Sequence, residues 1–506
     1  MRSGWVVVVS IAAACGHKDA PADAVVEIAS GSATGTGTGM GTAAEPPPFP
    51  DGTTSLRLIR SGPVRLTPGE DAKQIGTIAQ DTRVAWTRTE KGAGCKKPWV
   101  EIKPRGWVCG DRVKPTEQPP TGVELPRLDP DGLVPGTYGK VVEDGAITYR
   151  LETADELAKK QQKKAPPKRK RGEPPPAIPP EADEPPIDRL PFDPAGRRMI
   201  PGDALLGSVN VRKYNETDVG DKTYWKIDPK KNQWLLAKSI HQHAPSAWHG
   251  TRLGDDTGLE LPIAFVYPRG GGTKLASHYK AQGGPIMRWY AARAAVSVLE
   301  TFADPKSQKV LAYRVGQDEW IDAPDAKLVA AVDPPALIGP SERWFDVDVD
   351  AETLVAYEGK TAVYATLVSS GAKNTPTEVG LYRIWKKVAE TDMRGLSGGG
   401  EDPYSVATVP WTEFFSPEKG LALHTAYWHD GFGKPRSHGC VNLAPIDARW
   451  LYFWSDPWMP PGWTMTAGVV EAPGSIVRVH TSKDLNPPWK GYAIRVQEAR
   501  QGSATP

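Results

Sequence analysis

Residues 433–442 read Gly433-Lys434-Pro435-Arg436-Ser437-His438-Gly439-Cys440-Val441-Asn442, and a run from Pro445 to Trp454 follows them. The pattern predicts a tight turn that presents a cysteine, then a short helix. Pro445 and Asp447 stand in the first turn of that helix, where both are favoured. A free thiol with pKa about 8.5 is mostly protonated at neutral pH, so a nucleophilic cysteine needs a base. Upstream, Leu421-Ala422-Leu423 leads into His424-Thr425. An imidazole can take the thiol proton and later return it to a leaving amine. Gly439 permits close backbone approach, and its N–H with that of Cys440 is expected to receive a developing oxyanion. The helix N-terminus is expected to favour the thiolate.

Outward from this string the chain reads as strands. Phe345, Val347 and Val349 alternate with Asp346, Asp348 and Asp350, which predicts a half-buried strand. Leu354 to Tyr357 and Thr361 to Val368 flank Glu358-Gly359-Lys360 as a hairpin. Leu381 to Trp385 is a further strand, and the Gly-rich stretch from Asp392 to Tyr404 is expected to be a mobile flap. Two other readings of Cys440 stand beside the nucleophile: a buried structural thiol, and a zinc site with His424 and His438 that lacks an evident fourth ligand. His429 reads as a loop histidine at the rim. His241, His243, His249 and His278 read as surface or packing residues.

The string Ser437-His438-Gly439-Cys440-Val441-Asn442, with an upstream histidine and a preceding Gly-x-Pro, resembles the signature of the YkuD-type L,D-transpeptidases. The resemblance spans roughly residues 343–480 and includes Thr375-Pro376-Thr377 and Leu381-Tyr382-Arg383-Ile384. It implies a β-sandwich in which Cys440 is the nucleophile and His424 the base and acid. Thr425 would orient His424 through its carbonyl. Ser437, His438, Gly439 and Asn442 would shape the site, and Arg436 would meet a substrate carboxylate. The implied reaction attacks the L-centre carbonyl of a diamino acid in a peptidoglycan stem peptide, with no cofactor and no metal. The acceptor would be a second stem (a 3→3 cross-link), a lipoprotein lysine or water. One departure concerns a loop: Glu378-Val379 intervene before Gly380, where the family has Gly soon after Thr-Pro-x.

The rest of the chain of 506 residues reads as a mainly β assembly. Gly and Pro number 51 and 50, an excess that favours loops and small β domains over long helices. The net charge of +2 gives no field that argues for nucleic acid. Residues 55–116 show short runs (Ser55–Arg60, Val84–Thr87) broken by turns expected at Gly62-Pro63 and Pro68-Gly69. They end in a Gly106-Trp107-Val108 strand that resembles bacterial SH3-like barrels. Residues 137–250 and 260–333 repeat the theme more weakly, each closing on a polar-Trp-aliphatic strand at Trp234 and Trp320. The Lys/Pro/Glu-rich insert 158–190 lacks apolar content and is expected to be disordered. The catalytic segment is 341–480, and 484–506 is expected to be a tail.

At the start of the chain, Met1-Arg2, an apolar run from Trp5 to Ala14, and Ala12-Ala13-Ala14-Cys15-Gly16 read as a signal peptide over 1–15. The last five residues resemble a bacterial lipobox, which implies a lipid on Cys15 and a membrane as partner; ordinary signal-peptidase cleavage is the alternative. Residues 16–54 read as a flexible tether. The resemblance places the folded part in the periplasm, held at the outer membrane. Of the remaining cysteines, Cys95 and Cys109 suit a disulfide, a metal pair being the alternative, and Cys440 is left unpaired. A competing function class is a non-catalytic wall-binding scaffold.

Overall fold

In the computed structural model, residues 48–164, 197–205, 209–336, 338–394 and 405–503 are described. They belong, Pro48 aside, to one compact unit, Phe49–Pro506. The signal peptide, Cys15 and most of the tether and insert lie outside the described residues, as does most of the expected flap.

The chain is mainly β, as its composition predicts. The C-terminal third stacks two sheets. One sheet runs in the order Thr251–Arg252, Thr361–Leu367, Thr353–Glu358, Arg343–Asp348, Ile476–His480 and Gly380–Arg383. The other contains Lys386–Arg394, Ser405–Ser416, Leu421–Thr425, Val441–Leu443 and Trp463–Ala467. Phe345, Val347, Leu354 and Tyr364 from the first meet Trp411, Phe415, Leu423 and Val441 from the second in one core. The helix Pro445–Trp454 joins that core through Ala448, Leu451 and Tyr452. Its C-terminal carbonyls are satisfied from below. Buried Lys387 donates to the carbonyls of Tyr452 and Ser455, both at 2.6 Å, with the Glu413 carboxylate 3.7 Å away. A cation at a helix C-terminus is where the backbone dipole favours it.

The strand Arg343–Asp348 departs from its half-buried reading. Asp346 is only 5% exposed. It accepts from Arg478 Nε at 2.5 Å and lies 3.1 Å from His480 Nε2. The strand is central in its sheet, and its second face is covered too. Trp344, Val355 and Tyr357 pack there with Ile263, Phe265 and Val329 from upstream. Alternation thus separates two interiors here, one apolar and one in which a carboxylate is neutralised by ion pairing.

Three upstream groups of strands share an ending: a strand, one 3-10 turn and a short strand. The turns are Gly110–Arg112, Ala237–Ser239 and Ala323–Asp325, and the preceding strands are Trp107–Cys109, Gln233–Leu236 and Glu319–Asp322. Among the described residues no sheet closes on itself. Instead the first group extends the sheet that holds Lys386–Arg394 and Leu421–Thr425, because Gln74–Ile78 pairs with Trp463–Ala467. Gly76 makes this contact feasible: a Cβ there would lie 2.0 Å from Cζ3 of Trp463.

Gly62-Pro63 begins the strand Gly62–Arg65 rather than forming a turn. That strand pairs fully with Gln74–Ile78 but meets Trp107–Cys109 only at Arg65, so no ladder bond is asked of Pro63. Residues 154–164, partly inside the insert expected to be disordered, form a helix. Thr153 and Glu156 close its first turn reciprocally, the Glu156 N–H donating to Thr153 Oγ1 and the Thr153 N–H to Glu156 Oε2. The expected tail holds another helix, Tyr492–Ser503. Tyr492, Ala493, Val496 and Gln497 are buried at helical spacing, and Arg500 pairs with Glu342.

Candidate active site

Cys440 and His424 are brought together by a parallel ladder. Leu423 pairs with Val441 and His424 with Asn442. Extending that register by one residue sets Cys440 opposite Ala422, and the period of two puts Cys440 and His424 on one face. His424 is 2% exposed, and its Nδ1 lies 2.9 Å from the Thr425 carbonyl. A carbonyl only accepts, so Nδ1 carries the proton and Nε2 is the basic nitrogen. Burial lowers the imidazole to about 4 despite that bond.

The Cys440 sulfur lies 3.9 Å from the Gly420 carbonyl, and among the described residues no hydrogen bond joins it to His424. The residue keeps partial access to solvent, yet dense packing around the sulfur pushes the thiol up to about 11. The resting pair is therefore a neutral thiol and a neutral imidazole. The expectation that the helix favours a thiolate fails. The strand Val441–Leu443 intervenes, and the helix starts only at Pro445. Its acidic first-turn residue, Asp447, is instead buried. It accepts from the Gly250 N–H at 2.9 Å, the Tyr364 hydroxyl at 2.6 Å and the Thr366 hydroxyl.

The turn before Cys440 is closed by its own side chains. The Ser437 hydroxyl donates to the Cys440 carbonyl and accepts from the Gly439 N–H at 3.0 Å. Gly439, expected as an oxyanion donor, thus has its N–H taken. Its contribution is conformational: φ is +119°, which disfavours a side chain. His438 is exposed, and Arg436 is exposed with its guanidinium group against Gly431. The Asn442 amide lies 3.1 Å from Nε2 of His429, whose Nδ1 accepts from Gly431 at 3.1 Å. His429 is thus part of the site's wall, and burial lowers it to about 4. His424, His438 and Cys440 form no metal-ligating group among the described residues.

Several supporting residues were given no role by the sequence. Thr377 Oγ1 donates to the Gly439 carbonyl and accepts from the Gly371 N–H, both at 2.8 Å. Thr375 Oγ1 donates to the Ser437 carbonyl at 3.0 Å. Both threonines lie in the Thr-Pro-Thr string, and their spacing about a proline was the available signal. The departure at Glu378 is accommodated by ion pairs to Lys490 and Lys419 at 2.7 and 3.2 Å. Buried Glu352 accepts from the Ser370 N–H at 2.7 Å, and the Ser370 carbonyl in turn receives the N–H groups of Arg436 and Ser437. No local sequence signal marked Glu352. Away from the site, Cys95 and Cys109 are joined by a disulfide.

Residues 342–479 match the model of the L,D-transpeptidase catalytic domain family, YkuD. No curated protein matches the chain. Among solved structures, an L,D-transpeptidase mutant of Enterococcus faecium is 21% identical, with a TM-score of 0.22, over 28% of this chain and 50% of that one. An L,D-transpeptidase from Mycobacterium smegmatis is 18% identical, with a TM-score of 0.23, over 48% of this chain and 89% of that one. One from Stackebrandtia nassauensis is 23% identical, with a TM-score of 0.21, over 31% of this chain and 61% of that one. The chain thus spans half the length of the Enterococcus structure. Residues 342–479 are a YkuD L,D-transpeptidase catalytic domain, set in a chain whose other residues that family does not cover.

Proposed function

We propose that the protein is a cysteine-dependent peptidoglycan L,D-transpeptidase that forms 3→3 cross-links. The observation that carries this reading is the fixed tautomer of His424, basic at Nε2, on the same ladder face as the one unpaired thiol among the described residues. Substrate binding brings the two within proton-transfer reach, since such contacts tighten in the complex. The Cys440 sulfur attacks the carbonyl of the L-centre of a stem diamino acid as its proton passes to His424 Nε2. The Cys440 main-chain N–H receives the oxyanion. The tetrahedral species then expels D-alanine, whose nitrogen takes the proton from His424, and leaves a thioester. The side-chain amine of a second stem attacks the thioester and gives its proton to His424, which passes it to the departing sulfur and so restores the thiol. Arg436, exposed beside the turn, is suited to a stem carboxylate.

The same reading makes Cys15 a lipid anchor in the outer membrane and the three upstream strand groups SH3-like modules facing the wall. Incubation with defined muropeptides tests the chemistry. Cross-linked dimers and free D-alanine are expected, whereas shortened stems alone would show water as the acceptor. A carbapenem should add its mass to the wild type and not to Cys440→Ala. Absence of any adduct on the folded wild type would leave a wall-binding scaffold. Loss of fatty-acid incorporation in Cys15→Ala checks the anchor.

A further inference from the structure

The loop from Trp428 to Ser437 links the His424 strand to the turn before Cys440, and residues outside 342–479 hold it. Arg293 donates two parallel hydrogen bonds to Asp430, Nη1 to Oδ1 at 2.6 Å and Nη2 to Oδ2 at 2.7 Å. The Ser246 hydroxyl donates to the same carboxylate at 2.5 Å. The Tyr267 hydroxyl donates to the Phe432 carbonyl at 3.1 Å, and Tyr267 occupies the space a side chain on Gly433 would need. Arg293 sits at φ +65°, an unusual conformation for a side-chain-bearing residue. Its guanidinium group also lies 5.3 Å from the ring centroid of Trp248. A catalytic domain that folded and worked unaided would not need these bonds from upstream.

We propose that Arg293 and Tyr267 are positioning residues for the transferase site, fixing the Asp430–Gly433 segment so that His429 and the Arg436–Cys440 turn keep their places. This rests on the reading of Cys440 as the nucleophile. Bidentate pairing sets direction as well as distance, and Asp430 directly follows His429, whose ring meets Asn442 opposite His424. Releasing the loop shifts the thiol's approach to the substrate carbonyl without removing any reacting group. Small misplacements of that kind cost one to two powers of ten in rate.

The test compares full-length wild type, Arg293→Ala, Arg293→Lys, Asp430→Ala, the Arg293→Ala/Asp430→Ala double variant and Tyr267→Phe, each well below its melting temperature. The readouts are the rate constant of carbapenem acylation and kcat on a tetrapeptide stem. Arg293→Ala is expected to lower both by about tenfold or more, with Arg293→Lys recovering part of the loss. The double variant should be no worse than either single one. Tyr267→Phe, which removes one hydroxyl, should show a smaller loss of the same kind. Wild-type rates in folded Arg293→Ala, or in Tyr267→Phe if Arg293→Ala does not fold, overturn the proposal. If the wild type itself is not acylated, the nucleophile reading fails instead.

Discussion

A thiol pushed up to about 11 beside an imidazole lowered to about 4 separates two reactions that a preformed ion pair would merge. At pH 7 such a thiol is ionised in about one molecule in ten thousand, against about three in a hundred for a free cysteine. Iodoacetamide reacts with thiolate, so its alkylation of Cys440 should run about tenfold or more slower than that of free cysteine at pH 7, the scarcer thiolate being partly offset by its greater nucleophilicity. The rate should climb about tenfold per pH unit between pH 6 and pH 10. On the proposed reading carbapenem acylation follows the other path, with His424 taking the proton as the bond forms. His424 is already neutral above about pH 5, so that rate should be nearly flat from about pH 5.5 to 8.5. Both rates can be read by intact-mass spectrometry on the same samples, and His424→Ala should abolish the acylation plateau. Alkylation that levels off near pH 7 would refute this reasoning, since it would reveal a thiolate–imidazolium pair already formed at rest.

Replacing Thr377 with Val leaves the Gly371 N–H and the Gly439 carbonyl unsatisfied in a buried place. It should cost about 2–4 kcal/mol in urea unfolding and slow acylation as the turn loosens. Burial raises Asp447 to about 6, so the folded state binds its proton more tightly than the unfolded chain. Its share of stability is full below about pH 4 and falls as pH rises to about 6, by roughly 3 kcal/mol. The difference between wild type and Asp447→Asn across that window measures it. Gly76→Ala should destabilise the protein by about 1–3 kcal/mol, because the new methyl collides with Trp463. Thermal melts would show it, and an unchanged melting temperature would mean that the shared sheet edge yields easily. Removing both Cys95 and Cys109, 14 residues apart, should lower stability by about 3 kcal/mol through loop-closure entropy.

The elements nearest Cys440 were legible because their signals are local. The helix Pro445–Trp454 follows from a proline and an acid in its first turn, and the hairpin at Gly359 from a residue that tolerates φ +58°. The alternation at Phe345–Asp348 predicted a strand but misjudged its surroundings. Periodicity reports which residues share a face, and it does not report what covers the other face. Asp346 looked solvent-facing by type, and its partners Arg478 and His480 lie 132 and 134 residues away. The helix Tyr492–Ser503 was missed because its buried face includes Gln497 and its outer face Ile494, which blurs the apolar stripe. In each case long-range pairing overrode what residue type suggested.

The site divides along the same line. The placement of Cys440, His424 and the turn between Ser437 and Gly439 was readable, since a thiol, an imidazole and a tight turn are residue types in a fixed spacing. Their protonation states were not readable, because those depend on packing. The sequence suggested a helix-favoured thiolate; the fold inserts a strand between sulfur and helix and keeps the thiol neutral. That difference has a chemical consequence. Oxidation and disulfide exchange both begin from thiolate. Among the described residues the chain closes a disulfide at Cys95–Cys109 and leaves Cys440 free, and on the proposed reading that sulfur gains from being unreactive until substrate arrives. On the proposed reading, a histidine on the same ladder face, basic at Nε2 and held by its neighbour's carbonyl, would activate that sulfur only when a carbonyl is there to receive it.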